Sequence, residues 1–482
     1  MAPSSIFLGE SEIDSRYFDY FQQTAAQGLD SAWDWPIWNR LVLQNSHHEP
    51  FVRQSIIAIG ALLKAQEEAM PTGMPPHVVP SKATLHRNFA IAKYDAAVKQ
   101  MRKVLCAGTN NPRQALIGCI FVIFFELLMG NRHLATWHAQ SGTMILQQWR
   151  TKTMALEENA QRPRLLSPAP LTVEDEIVAA FHGLDIQLAT ISDCRRAACY
   201  EEMVNDYRVA ISSLPATFTD LQEARIYLIL IMRRICHFIA MTRRPAETVA
   251  LAKRFDNEPP SEFSTSTDMS IHGTSFKVTE DDQAKQTQFG ADIASWERVF
   301  APLLKRSLTK VRCEVPSDIN TYIAAARLQI QCIATRILTA GVVITNEMEY
   351  DKFNPQFLEL VDLATVVVAL SRRRCDMQGI HAGFWLDSGI FPQLVVVANR
   401  CQDPIIQRRA IKLLGGWHIE GSWDAPMIVH IRILIIELEE EALEDIKQSG
   451  TKGVIPENVR AVFSRLSTDS QNGTDSLAAM CD

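Results

Sequence analysis

Along almost the whole chain, apolar residues recur at spacings of three and four, and no other feature limits the fold as much. A chain patterned in this way builds amphipathic helices whose apolar faces must pack on one another. In 50–69, Val52, Ile56, Ile59, Leu62 and Leu63 share one face after Pro50. In 85–105 the face is Phe89, Ile91, Tyr94, Val98, Met101 and Val104, and in 132–149 it is Leu134, Trp137, Met144, Ile145 and Trp149. Further helical patterns run at about 174–191, 219–241, 292–311, 317–346, 355–371, 387–400, 403–415 and 425–447. Two-residue alternation is confined to β-branched runs, "VVVA" at 366–369 and "LVVVA" at 394–398, which lie inside longer helical patterns and read as buried helix. The expected fold class is all-α, a large irregular array of packed antiparallel helix pairs. No fixed period indicates a regular solenoid.

The most apolar stretch, "ALIGCIFVIFFELLMG" at 115–130, tests the membrane alternative. Sixteen helical residues span roughly 24 Å, short of the ~30 Å hydrocarbon core. Glu126 lies inside the stretch, and a carboxylate in lipid is costly. Asn111 fits an N-cap, Pro112 the first helical position and Gly130 the position after the C-cap, so the stretch reads as a core helix. Burying Glu126 unpaired would cost several kcal/mol. A donor beside it is therefore expected: a histidine such as His138, an arginine, or a free helix N-terminus.

Pattern breaks divide the chain. Residues 254–290 are polar, rich in Ser and Thr and poor in aliphatic side chains, which predicts a disordered insertion between helical parts 1–253 and 291–448. From 449 to 482 the apolar density falls and a weakly ordered tail is expected, with "VRAVFSRL" at 459–466 as one more helix. Ten scattered cysteines without a CxxC pair fit a reducing compartment. The start, "MAPSSIFLGESEIDSRYF", has neither a basic n-region nor an apolar h-region, so an intracellular soluble protein is expected. A net charge of −7 gives no global basic field toward nucleic acid or anionic lipid.

Motifs that carry chemistry are missing from the sequence. There is no Walker loop, no GxGxxG after a strand, no GxSxG elbow and no HExxH. In "HHEPF" at 47–51, Pro50 interrupts the helix a zinc site needs. "HIE" at 418–420 lacks the PCxxC of a deaminase, and Asp281-Asp282 lacks the rest of an aspartate-rich magnesium motif. His138, His237 and His381 lie among apolar residues, where a hydrogen-bonded core histidine is the commoner role. Trp33, Trp35 and Trp38 are expected to pack the N-terminal segment onto the core. The pairs Arg195-Arg196, Arg233-Arg234, Arg243-Arg244 and Arg408-Arg409, and the triplet Arg372-Arg373-Arg374, read as solvated faces or ion pairs. No catalytic, cofactor-binding or metal-ligating residue is assigned, and no cofactor is expected.

Five blocks, in order, resemble the fungal-specific transcription factor regulatory region, the helical part that accompanies a six-cysteine binuclear zinc cluster. They are "WNRLVLQNSHHEPFVRQSIIAIGALLKA" (38–65), "FAIAKYDAAVKQM" (89–101), "CIFVIFFELLMGNRHLATWHAQSGTMIL" (119–146), "AAFHGLDIQLA" (179–189), and "ANRCQDPIIQRRAIKLL" with "EGSWDA" (398–414 and 420–425). The resemblance spans roughly 15–445. It implies a nuclear regulator of transcription, of a kind often found with secondary-metabolite gene clusters. It also implies effector sensing, a homodimer, or contacts with coactivators and other regulators, and no membrane association. The paired cysteines of the zinc cluster are not in this sequence, so any DNA contact is expected through partners or another module. The alternatives kept open are a helical enzyme or small-molecule binder of a metabolite pathway, and a ligand-free adaptor. Gly130 and Asn131 are expected to turn one helix back on another, and Gly142 to permit close approach. Arg53, Asp185, Arg408, Arg409 and Glu420 are expected to pair or to cap helix ends.

Overall fold

The structure is a computed structural model that describes residues 11–24, 37–69, 81–106, 111–156, 165–191, 197–242, 278–309, 316–344, 346–378, 389–415, 428–438, 462–469 and 474–480. The architecture is all-α, as the periodicity requires. The chain forms two compact units. Unit 1 is Met1–Leu184 with Cys375–Asp387, and unit 2 is Asp185–Arg374 with Ser388–Asp482.

Unit 1 holds α1 (Glu12–Thr24), a π-helical turn (Ile37–Val42), α2 (Leu43–Ser46), α3 (Pro50–Ala69), α4 (Ser81–Cys106), α5 (Pro112–Leu128), α6 (Arg132–Leu156) and the first part of α7 (Asp175–Ile191). Helix α5 contains most of the apolar stretch 115–130. It is apolar all round and buried almost all round, the signature of a core helix. Its start is fixed by Asn111, whose side chain accepts from the Arg113 amide at 3.1 Å with Pro112 next. Its end is a Schellman turn. Gly130 takes φ +83°, its amide donates to Leu127 O at 3.0 Å, and the Asn131 amide donates to Glu126 O at 2.8 Å. That turn sends α6 back along α5. A methyl group on Gly142 of α6 would lie 2.3 Å from the Phe181 ring of α7, so only glycine allows these helices to approach so closely. Trp38 packs against Phe124 at 5.0 Å, Phe121 at 6.0 Å and Phe21 of α1 at 6.1 Å, which ties the N-terminal segment to α5 as expected. Trp33 and Trp35 lie outside the described residues.

Unit 2 continues through α8 (Ala197–Asn205), α9 (Arg208–Ser212), α10 (Leu221–Thr242), α11 (Glu280–Thr309), α12 (Pro316–Gly341), a 3-10 turn (Glu347–Phe353), α13 (Asn354–Gln378), α14 (Phe391–Arg400), α15 (Pro404–Leu414) and α16 (428–438). Helix α10 is central and packs against α8, α11 and α12. Trp296 of α11 is fully buried, donates its indole N–H to Ala224 O at 2.8 Å, and stacks on Phe300 at 4.5 Å. "VVVA" and "LVVVA" both lie in helix, in α13 and α14.

Two expectations change. Helix α11 begins at Glu280, inside the stretch read as an insertion, and 254–277 lie outside the described residues. The reason is a reciprocal cap. The Asp282 amide donates to Thr279 Oγ1 at 3.1 Å while the Thr279 amide donates to Asp282 Oδ2 at 3.0 Å. The polar composition of 280–288 is that of a solvated first two turns, and the buried stripe starts at Phe289. The second change is at 459–466. Residues Val462–Asp469 are a strand, β1, paired antiparallel with β2, Thr474–Met480. The sequence between them contains Asn472-Gly473, a pairing favoured at hairpin turns.

Among the described residues, one helical stretch is long and apolar enough to cross a bilayer: Glu347–Arg373, not 115–130. It carries Glu347, Glu349, Asp351 and Lys352 in its first turns and Asp362 near its middle, paired with Arg409 at 2.6 Å. Phe357, Leu360, Val361, Ala364 and Val367 are buried in unit 2, as on a core helix.

Candidate functional site

Among the described residues, a dense group of chemistry-bearing side chains lies inside unit 2, around α10. The sequence "RRICH" places Arg233 and His237 four residues apart, on one face of the helix, with Arg234 beside them. Three acids come from other elements: Asp185 from α7, Asp206 from the corner between α8 and α9, and Asp292 from α11. Arg233 Nε donates to Asp185 Oδ2, and its Nη1 donates to Asp206 Oδ2 at 2.7 Å. His237 Nε2 donates to the same Asp185 Oδ2 at 2.8 Å. Arg234 donates through Nε to Val204 O at 2.8 Å and through Nη1 to Asp292 Oδ2 at 3.1 Å. Gln288 supplies Asp292 with a further donor at 2.9 Å, and the Arg234 guanidinium lies over the Phe289 ring at 5.1 Å.

These groups are out of water: Asp185 and His237 are 0% exposed and Arg233 is 2% exposed. Burial by itself pulls the Arg233 guanidinium down, but the charges of Asp185 and Asp206 outweigh it and hold the group well above its ordinary value. Arg234 is lowered by burial, with Asp292 opposing. The neighbouring Cys236 thiol is pushed up to about 12, first by burial and then by Asp185, so it behaves as a small core side chain and not as a nucleophile. His237 Nδ1 is buried and meets no hydrogen-bond partner. Tyr200 of α8 lies against the same ring, 5.9 Å centroid to centroid.

Chemically, an Asp–His pair beside a guanidinium is able to move a proton when a substrate reaches it. In this conformation solvent does not reach it, and the network acts as a hub that joins Asp185, the α8–α9 corner and α11 to α10 within unit 2. Among the described residues no group of three or more His, Cys, Asp or Glu side chains is arranged to hold a metal ion.

Unit 1 has a smaller polar inclusion. Glu126, 8% exposed, accepts from the Tyr94 hydroxyl at 3.0 Å and from Asn131 Nδ2 at 2.7 Å. A donor beside Glu126 was expected, but its kind differs: a phenol and an amide, held by the same turn that ends α5. Tyr94 stacks on Phe125 at 3.8 Å, and its hydroxyl is pushed well up by burial first and by Glu126 second. His138 is half-buried near this acid, its imidazole lowered mainly by burial while Glu126 pulls it up.

His381, Arg195-Arg196, Arg243-Arg244 and Glu420 lie outside the described residues. Arg372 and Arg373 are solvated. Of the two roles expected for Arg233-Arg234, a solvated face or ion pairs, the second holds: both are buried and paired with Asp185, Asp206 and Asp292. Arg53 caps the end of α2, donating to Ser46 O at 3.0 Å and His47 O at 3.3 Å. In "CQDP", Asp403 caps α15 by accepting from the Ile405 and Ile406 amides at 2.9 and 3.0 Å, a role that its place before Pro404 makes readable. Asp206 and Asp292 were not foreseen. The available signal was an excess of buried-face cations on α10, which demands acids from elsewhere. Compared with known proteins, the chain matches no family model, and no curated protein or solved structure is significantly similar to it.

Proposed function

We propose that the chain is the helical regulatory part of a fungal-type transcriptional regulator, acting in the nucleus on a metabolite gene cluster. It works through effector sensing or through contacts with coactivators, other regulators or a second copy, and reaches DNA by way of partners or another module. The observation that carries this reading is the nature of the residues in the five ordered blocks. They fall on architecture: the Gly130 turn, the Gly142–Phe181 approach, the Asp185 hub, the Arg53 cap and the Asp403 cap. A likeness carried by such positions is a likeness of scaffold, which supports reading the chain as that family's regulatory region. The test is to tag the protein, follow its location, and compare transcripts with and without the gene. Nuclear enrichment with altered transcripts of a contiguous gene set supports the reading; exclusion from the nucleus with unchanged transcripts ends it.

One observation favours a second reading, a small-molecule binder or enzyme of a metabolite pathway: ionisable side chains converge on Asp185. Turnover or saturable binding of a pathway intermediate by the purified chain, lost in His237→Gln, would favour it over the first.

A further inference from the structure

Among the described residues, the corner that carries Asp206 holds the one non-glycine residue with a positive φ. Tyr207 sits at φ 57° and ψ 12°, the left-handed region disfavoured for any residue with a Cβ. It leads into α9, a helix of five residues without a side-chain cap. The outer side of the segment is open to water at Glu201, Glu202, Asn205, Arg208 and Val209.

Two hydrogen bonds from α10 help to hold the segment down. Arg233 reaches Asp206 at 2.7 Å and Arg234 reaches Val204 O at 2.8 Å, and Met203, Val204, Ala210 and Ile211 are buried beneath. Two terms act the other way. Opening would release the strain at Tyr207, and it would give His237 Nδ1 the water partner it lacks, removing the cost of an unsatisfied buried ring nitrogen. Asp206 keeps 19% of its side-chain surface exposed, so this contact lies at the rim, whereas Asp185, 1% exposed, lies at the bottom.

We infer that residues 197–212 form a strap that opens as a unit while α10 stays folded, and that its opening uncovers the Asp185–His237 pair. The Arg233–Asp206 contact is the latch. Arg233 keeps its second carboxylate, Asp185, when the latch is released, so opening leaves no buried charge stranded. The strap stands on unit 2 alone and does not depend on the regulatory reading.

The test uses the full chain, hydrogen exchange, and diethyl pyrocarbonate as a probe of His237 read by peptide mass mapping. In the wild-type protein, amides of 203–212 exchange before those of α10, and His237 is acylated faster than global unfolding allows. In Asp206→Asn the acylation of His237 rises by about tenfold or more, the equilibrium factor for losing a hydrogen bond to a charged group, while α10 and α11 keep their protection. Two results overturn the strap: His237 acylated no faster in the variant than in the wild type, or amides of 203–212 opening only together with α10. Should Asp206→Asn fail to fold, the order of exchange in the wild-type protein decides alone.

Discussion

Glu126 in unit 1 and Asp185 in unit 2 are both carboxylates taken almost out of water, and the chain holds them differently. Glu126 accepts from two neutral donors, Tyr94 and Asn131, and one of these is only five residues away in the turn that closes α5. Asp185 accepts from a guanidinium and an imidazole on another helix, 48 and 52 residues away. The first arrangement is local and stays close to the surface, where Glu126 is 8% exposed; the second is long-range and sealed at 0%. A carboxylate at a helix end can be served by the caps that the end needs anyway. One in the middle of a helix, facing apolar neighbours, needs a full opposite charge brought in by the tertiary fold. Unit 2 therefore gains a fixed registry between Asp185, α10 and the α8–α9 corner, at the risk of a stranded charge if one member is lost.

That asymmetry sets the order of expected effects. Arg233→Met leaves Asp185 and Asp206 without their shared cation and should destabilise the protein by about 3–5 kcal/mol in urea unfolding at neutral pH. The double variant Asp185→Asn with Arg233→Met should cost less than the sum of its two single variants, since the second change removes the charge that the first strands. Additive costs would mean that the pair is not coupled. Glu126→Gln should cost only about 1–2 kcal/mol, because an amide oxygen still accepts from Tyr94 or Asn131 and no charge is left behind. If Glu126→Gln proved as damaging as Arg233→Met, the contrast between neutral and ionic support would not hold.

What could be read from the sequence follows the same division. The ends of α5 were legible because Asn111, Pro112 and Gly130 act within one turn of where they stand. The need for a donor at Glu126 was legible too, although Tyr94 lies 32 residues away and only Asn131 was near enough to suspect. The network was not. Arg233-Arg234 looks like any basic pair until α11, whose Asp292 is 58 residues on, is packed beside α10. The start of α11 was missed for a different reason. Its first turns face solvent, so their polar composition imitates a linker, and the cap formed by Thr279 and Asp282 was the only local signal. In β1 and β2 the short β-branched and aromatic run was outweighed by a partial helical spacing, and the turn pair Asn472-Gly473 was the better guide.

Two further effects sharpen the comparison through the pH response of unit 1. The Tyr94 hydroxyl is raised from an ordinary 10.0, first by burial and then by Glu126. A raised group gives stability that is complete below its unfolded value and is lost as pH climbs toward its folded value, so unit 1 should weaken above about pH 10. Tyr94→Phe should lower stability at neutral pH by the value of one hydrogen bond to a carboxylate, about 1.5–3 kcal/mol at most, and flatten this alkaline limb. The His138 imidazole is lowered from 6.5, mainly by burial with Glu126 opposing. A lowered histidine works the other way: its contribution is complete above 6.5 and is lost as pH falls through the folded value, because the unfolded chain takes up the proton first. His138→Gln should therefore remove part of the decline in stability on the acid side of 6.5 while leaving the neutral plateau nearly unchanged. Unfolding midpoints measured across that range for the variant and the wild-type protein check it. A variant with an unaltered acid limb would show that Glu126 compensates the burial of His138 in full and that the two act as an ion pair.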